Sequence, residues 1–334
     1  MTMKTRYFAV ASLLVVAVGL GSGLLAYLGL PTIALSRQGG PEELGLIPSN
    51  ASLVAYADVR EIMISDLRQR VRALRPARED GQREFEKQTG INLETDVDRI
   101  VAAVVPGLDG RDTLPGSALV LVRGRFDEVR IEALMRDQGG QVEHYGNRRV
   151  IVAEPAQGRP AWSAAFLEPG LVAVGATSLL HSAIDLTGGG ASVTTNDEVM
   201  GLVRDLEFGN AWAVGRFDVL ASRAALPPLV RQNLPAISWF SASARIDSGV
   251  RGVVRAQARD EDAANGLRDV VRGFMALGRL QASSQPGLQS LLQSLDLGGT
   301  GRTVGLSFNV SPEVIDALEA LVLQTPRPDS QPVQ

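Results

Sequence analysis

The stretch Ser238–Ala258, SWFSASARIDSGVRGVVRAQA, decides the fold class. It contains two strand-like segments, Ser238–Ile246 and Gly249–Ala258, which are rich in β-branched, aromatic and small residues. The turn residues Asp247-Ser248-Gly249 join the two segments directly. Parallel neighbours need a crossover of about a dozen residues or more, so segments this close must pair as an antiparallel hairpin.

Two further turns, Tyr145-Gly146-Asn147-Arg148 and Glu168-Pro169-Gly170, predict hairpins of the same kind. Segments with helical periodicity alternate with the hairpins, and Val199, Leu202 and Val203 form one such apolar stripe. This order predicts an α+β fold with antiparallel sheets, curved or flat, and helices packed on one face. The strand candidates are Leu53–Ala57, Val101–Val105, Ala118–Arg123, Val142–Tyr145, Arg149–Ala153, Ala164–Leu167, Leu171–Gly175, Ala211–Gly215, Ser238–Ile246, Gly249–Ala258 and Thr303–Val310.

The N-terminus predicts a membrane anchor. Residues 7–30 form a run of 24 residues without a charge, YFAVASLLVVAVGLGSGLLAYLGL, and Lys4 and Arg6 precede it. A helix of this length spans about 36 Å, enough to cross a hydrocarbon core of about 30 Å. The basic flank predicts a cytoplasmic N-terminus, with residues 1–34 as tail and single-pass anchor in the inner membrane. The alternative is a secretory signal cleaved after Ala34, and both interpretations place the following residues in the periplasm or outside the cell.

Gly19 and Gly23 form a small-xxx-small pair within this run, which could bring two anchors together in a homodimer. Residues 35–44 are predicted to be a polar linker and residues 326–334 a disordered tail. Between them the chain is long enough for one large or two medium domains.

A repeated tetrapeptide suggests two related halves, residues 45–190 and 191–325. Gly124-Arg125-Phe126-Asp127 and Gly215-Arg216-Phe217-Asp218 are identical, and each ends a predicted strand and opens a predicted helix. The structural interpretation is a tight exit at Gly, a core contact by Phe and a helix cap by Asp. The functional interpretation places the two Arg–Asp pairs at one shared site.

Composition excludes several kinds of chemistry. The chain has no Cys, so it carries no thiolate nucleophile, iron–sulfur cluster or Cys zinc site. It contains neither a phosphate-binding loop nor a hydrolase elbow. After the anchor, 31 basic residues face 37 acidic residues, a net charge of −6 that argues against nucleic acid as a partner.

His181 and Asp185 are the best metal-ligand candidates, because a helix brings residues i and i+4 together. The sequence shows no third ligand, and the alternative is an ordinary surface pair. The alternating acids Glu94, Asp96 and Asp98 lack the Gly and Glu of a calcium loop. We therefore assign no catalytic, cofactor-binding or metal residues, and we expect no cofactor.

The basic run Arg68, Arg70, Arg72, Arg75 and Arg78 is expected to form a solvated helix face, since acidic residues lie nearby. Contact with anionic lipid headgroups is the alternative.

The segments IPSNASLVAYADVREI (residues 47–62) and GRTVGLSFNVSPEVIDAL (residues 301–318) resemble a loosely defined group of uncharacterised bacterial envelope proteins. Those proteins have one N-terminal membrane segment and an exported α+β region. The resemblance implies export and the same fold class, but it implies no catalytic residues.

The sequence as a whole predicts a membrane-anchored extracytoplasmic protein without enzymatic activity, which binds an envelope protein or lipid partner or supports an envelope assembly. One alternative is a carrier or sensor of a lipid or other apolar ligand, which requires an interior void of several hundred Å³. A second alternative is a hydrolase with an unrecognised site.

Overall fold

The computed structural model describes residues 40–74, 86–87, 89–106, 118–137, 139–153, 162–207, 209–218, 237–282 and 286–316. The predicted anchor at residues 7–30, the first part of the linker and the predicted tail lie outside these ranges. Within the described ranges, no helix is both long enough and apolar enough to cross a membrane.

In the described ranges, twelve antiparallel strands form one continuous sheet, in the order β11-β12-β10-β9-β8-β1-β2-β3-β7-β6-β5-β4. The strands are β1 (Leu53–Ala57), β2 (Val97–Val104), β3 (Ala118–Gly124), β4 (Gln141–Tyr145), β5 (Arg148–Ala153), β6 (Trp162–Glu168), β7 (Leu171–Ala176), β8 (Ala211–Arg216), β9 (Ile237–Ile246), β10 (Val250–Ala258), β11 (Asp296–Gly298) and β12 (Thr303–Val310).

The strand predictions are confirmed within a few residues at each end. All eleven candidates form strands, and the three predicted hairpins pair as β4–β5, β6–β7 and β9–β10. Among the strands that the structure describes, sequence reasoning missed β11, whose three residues Asp-Leu-Gly are too short and too polar to give a strand signal.

The strand β1 joins the two predicted halves of the chain. It pairs with β2 on one side, where Leu53 lies opposite Val104. On its other side it pairs with β8, where Leu53 lies opposite Gly215. The plural sheets of the prediction are therefore one sheet, and that sheet is continuous across residues 190 and 191.

Helices cover both faces of the sheet, which corrects the prediction that they pack on one face. The helices are α1 (Val59–Met63), α2 (Asp66–Leu74), α3 (Glu128–Asp137), α4 (Thr177–Leu186), α5 (Asp197–Arg204), α6 (Glu261–Gln281) and α7 (Pro286–Gln293). The short 3₁₀ helix Glu42–Leu46, which we call the entry helix, packs with α4 and α5 on one face of the sheet. We call this the front face and the opposite one the back face. The helices α1, α3 and α6 pack on the back face.

The central strands explain why both faces need cover. In β3, Leu119 and Leu121 point to the front core, whereas Val120 and Val122 point to the back core. Strands that are apolar on both faces must be covered on both. At the β9–β12 end the front face turns polar, and Ser241, Arg245 and Arg255 replace the apolar side chains there.

Two strands carry, at or next to their last residue, a glycine that no other residue could replace without movement of the backbone. A Cβ placed on Gly124 would lie 2.0 Å from the carbonyl oxygen of Asp96. A Cβ on Gly215 would lie 2.8 Å from the carbonyl oxygen of Ser52. Both contacts are with backbone of a neighbouring strand or loop, so the fold must shift to relieve them.

We therefore expect Gly124→Ala to lower the free energy of unfolding by about 2 kcal/mol or more, because overpacking against backbone forces the chain to move. The matched control is Gly201→Ala in α5, where an added Cβ meets no atom within 4 Å. It should raise stability by about 0.5–1 kcal/mol, because alanine loses less entropy in a helix. Urea denaturation measures both, and equal effects would contradict the close approach at Gly124.

Candidate functional site

The most unusual side chain in the described structure is the fully buried carboxylate of Glu43. It lies in the entry helix and is 1% exposed, whereas the side chain of its neighbour Glu42 is 69% exposed. Its Oε1 accepts hydrogen bonds from Arg99 Nε at 2.9 Å and from Arg123 Nε at 2.5 Å. Its Oε2 is buried and has no protein hydrogen-bond partner.

The two arginines come from neighbouring strands. Arg99 of β2 and Arg123 of β3 are direct cross-strand partners, and both side chains point to the front face. Two like charges placed opposite each other destabilise a sheet. Glu43 lies between them and removes that repulsion, so the carboxylate and the arginines depend on one another.

Two outer carboxylates complete the cluster, which we call the arginine clamp (Glu42, Glu43, Arg99, Arg123 and Glu168). Arg99 Nη2 contacts Glu42 at 2.9 Å, and Arg123 donates to Glu168 at the end of β6. Burial opposes the charge on Arg123, but its bonds to Glu43 and Glu168 outweigh burial and raise its pKa. The clamp therefore fixes the entry helix to the sheet through charged groups that are all engaged with one another.

Sequence reasoning missed the arginine clamp because Pro41-Glu42-Glu43 follows two glycines and is typical of a polar linker. The available signal was an arginine at or near the end of two predicted strands: Arg99 lies two residues before Val101–Val105, and Arg123 ends Ala118–Arg123. An inward-facing charge on a strand needs a partner of opposite charge.

The predicted ligand pair His181 and Asp185 does lie together on α4, but a tyrosine completes the group instead of a third ligand. Tyr145 at the end of β4 donates its hydroxyl to Asp185 Oδ2 at 3.0 Å. Its ring stacks on His181 with centroids 3.7 Å apart. The hydrogen bond to Asp185 raises the pKa of Tyr145. Among the described residues, no group of three or more His, Asp or Glu side chains could hold a metal ion.

The two copies of Gly-Arg-Phe-Asp lie at opposite ends of the central strands, separated along the strand direction, which rules out the shared site. Gly215 is level with Leu53, Val104 and Ala118, whereas Gly124 lies six residues further along β3. At about 3.3 Å per residue, that is a separation of about 20 Å along the strands. The structural interpretation is supported at Gly124 and Asp127, because Asp127 Oδ1 accepts from Arg130 N at 3.0 Å and caps α3.

The charged runs stabilise local structure. Asp96 Oδ2 accepts from Asn92 N at 2.8 Å, and Arg68 pairs with Glu94 at 2.8 Å. Arg70 lies 3.5 Å from Asp316. The side chain of Arg72 and all of Arg75 and Arg78 lie outside the described part of the chain.

A second buried polar group lies where β1 ends and β8 begins. The side chain of Asn210 is completely buried, and neither of its polar atoms makes a hydrogen bond of normal geometry. It lies near Glu61 of α1. Burial raises the pKa of Glu61, the Asn210 amide opposes that effect, and the neighbouring Asp58 adds to it. Because the Asn210–Glu61 geometry falls short of a full hydrogen bond, we regard the contact as weak.

The arginine clamp gives a prediction with a control at the next residue. Glu43→Gln should lower the free energy of unfolding by about 2 kcal/mol, because it removes charged hydrogen bonds in a buried site. Glu42→Gln should cost less than about 0.5 kcal/mol, because that carboxylate is exposed to solvent. Thermal unfolding of both variants measures the difference. Similar losses would show that Glu43 is not the member that fixes the entry helix.

The Glu61 carboxyl predicts how the free energy of unfolding depends on pH. Its pKa is raised in the folded state above the ordinary value of 4.5, so ionisation above the folded-state pKa destabilises the fold. Glu61→Gln should therefore raise the unfolding free energy at pH 7 and have little effect below the unfolded pKa.

The contrasting variant is Asp260→Asn at the N-cap of α6, because the backbone bond from Ala263 lowers the pKa of Asp260. It should lower stability at neutral pH, and that loss should disappear as the pH falls through the folded-state pKa. Urea denaturation across this pH range measures both variants, and the same sign for both would contradict the assignment.

Comparisons with known proteins add only distant likenesses. No protein-family model matches the chain, and no curated protein matches it either. Two solved structures of TP0453, crystal form I and crystal form III, are similar with a TM-score of 0.46 each. Their sequences are 9% and 8% identical, and the matches cover 85% and 84% of this chain and 99% of each TP0453 chain. A similarity at this level carries no argument about family or function.

Proposed function

We propose that this chain is a membrane-tethered, extracytoplasmic, non-enzymatic protein that binds a partner or supports an envelope assembly. The observation that carries the proposal is the arginine clamp. It fastens Glu43, at the end of the predicted linker 35–44, to the central strands β2 and β3 of the described sheet.

The arginine clamp supports a tether that orients the sheet. Residues 31–41 connect the predicted membrane helix to the entry helix, and eleven extended residues reach at most about 40 Å. Because Glu43 is held by two strands, the chain enters the sheet at one fixed point. A short tether to a fixed point would keep the sheet close to the bilayer and present its surfaces to other envelope components.

The engagement of charged side chains supports a binding role over an enzymatic one. In the described part of the chain, the acids and bases singled out above, except Glu61, pair with each other, cap helices or bond to nearby backbone. The His181–Asp185 pair is occupied by Tyr145. The hydrolase alternative has no specific observation in its favour.

The carrier alternative requires a large apolar void. A cleft between α3 and strands β5–β7 is lined by Met135, Ile151 and Phe166 and by the ion pair of Glu132 with Arg149, and its internal volume of about 10 Å³ is room for about one water molecule. This cleft is smaller than the several hundred Å³ that a lipid needs. On the front face, large side chains such as Leu119, Leu121 and Leu180 are fully buried and fill the space between sheet and helices.

Native mass spectrometry of the full chain, extracted gently from its own membranes, tests the proposal. We expect the uncleaved mass of 35.5 kDa, together with a second protein or a second copy in a fixed ratio. A chain that lacks residues 1–34 would contradict the tether. A bare monomer would contradict the assembly, and a stoichiometric small mass would favour the carrier.

The predicted helix also offers a matched test of self-association. If the partner is a second copy held through Gly19 and Gly23, then Gly19→Leu with Gly23→Leu should separate the dimer. Gly21→Leu, on another side of the same predicted helix, should leave it intact. Dissociation by both changes, or by neither, would contradict that contact surface.

A further inference from the structure

The second half of α6 exposes large apolar side chains that the fold does not cover in its described part. Phe274 is 48% exposed and Leu277 is 56% exposed. We call these two residues the α6 flank. Soluble proteins tolerate single exposed apolar residues, but neighbouring large ones on one helix indicate a contact surface.

The exposure arises because the apolar stripe of α6 extends beyond the cover that the sheet provides. Leu267 and Phe274 are seven residues apart and therefore lie on the same side of the helix. Leu267 is 5% exposed and packs with Ala258 and Val304 of the sheet. Phe274 has the same helical position one heptad later but is half exposed. The sequence thus continues to supply core-type residues where the sheet no longer covers them.

The charge of α6 changes at the same point. Residues 261–269 contain Glu261, Asp262 and Asp269 against a single arginine, whereas residues 270–282 contain Arg272 and Arg279 and no acid. Arg272 and Arg279 are also seven residues apart and share one side of the helix, the polar side opposite Phe274 and Leu277. Arg272 lies 3.0 Å from Asp269 in a solvent-exposed ion pair. The half of α6 that exposes apolar groups is therefore the basic half.

We infer that the α6 flank docks on the anionic surface of the bilayer that holds the predicted anchor. Phenylalanine and leucine inserted at the headgroup boundary, with arginines reaching phosphates, are the chemistry by which amphipathic helices lie on membranes. A second copy of the chain is the less favourable occupant, because the second half of its own α6 contains no acidic residue to pair with the arginines. The inference rests on the proposed function, since the tether keeps α6 near that bilayer.

Because the chain has no cysteine, one introduced cysteine gives a single labelling site. The full chain carrying Leu277→Cys is labelled with a fluorophore and reconstituted into phosphatidylcholine vesicles with and without phosphatidylglycerol. Quenching by doxyl lipids reports the depth of the label. The matched control is Val129→Cys, an apolar position on α3 that is 73% exposed.

We expect quenching at position 277 to be several-fold stronger than at position 129, and stronger when phosphatidylglycerol is present. Arg272→Gln with Arg279→Gln should reduce it, whereas Arg251→Gln on β10 should not. Equal quenching at the two positions would overturn the inference, as would quenching that is independent of lipid charge. Label–label interaction at position 277 without lipid quenching would also overturn it and identify a second copy as the occupant.

A carbonate wash of the same vesicles separates this inference from the proposed function. A chain that stays in the membrane but shows no quenching at position 277 retains the tether and loses the docking surface. A chain that is washed out contradicts the tether itself, whatever the label reports.

Discussion

The whole sheet depends on the two-sided pairing of β1. This strand of five residues hydrogen-bonds to β2 on one side and to β8 on the other, and among the described strands it alone joins β2–β7 to β8–β12. Strands β2–β7 lie to one side of it and β8–β12 to the other. On the front face Tyr56 stacks on Trp212 of β8 with ring centroids 5.8 Å apart, and burial raises the pKa of Tyr56. A change that displaced β1 would leave two separate sheets with exposed inner edges.

The arginine clamp secures the segment that leads into this strand. The entry helix ends at Leu46, and β1 begins at Leu53, so the position of one restricts the position of the other. Removing both charges of a buried pair can leave stability unchanged, but removing one leaves the other buried without a partner. Glu43 is more constrained still, because two neighbouring arginines need it at once. The entry helix Glu42–Leu46 is thus a central part of the fold, although the composition around it is that of a linker.

Local features of this fold were predictable from sequence, and non-local ones were not. Hairpins join strands through short turns such as Asp247-Ser248-Gly249, so sequence alone defines both the strands and their pairing. The pairing of Leu53 with Gly215 joins distant parts of the chain, and no local signal encodes it. The second layer of helices had a usable signal, because the unbroken run Leu119-Val120-Leu121-Val122 is typical of a strand buried on both faces.

The same distinction applies to the candidate sites. Glu42 and Glu43 are alike in sequence, and only the docking of the entry helix on β2 and β3 makes one of them buried and the other exposed. The repeated Gly-Arg-Phe-Asp shows the converse, since identical sequence recurs without a common site. At both copies a neighbouring backbone carbonyl excludes any side chain at the glycine. The aspartates differ, because Asp127 caps α3 whereas Asp218 pairs with Arg216 at 2.6 Å. What the repeat preserves is a backbone requirement at the end of a strand, and that requirement arises wherever two strands meet closely.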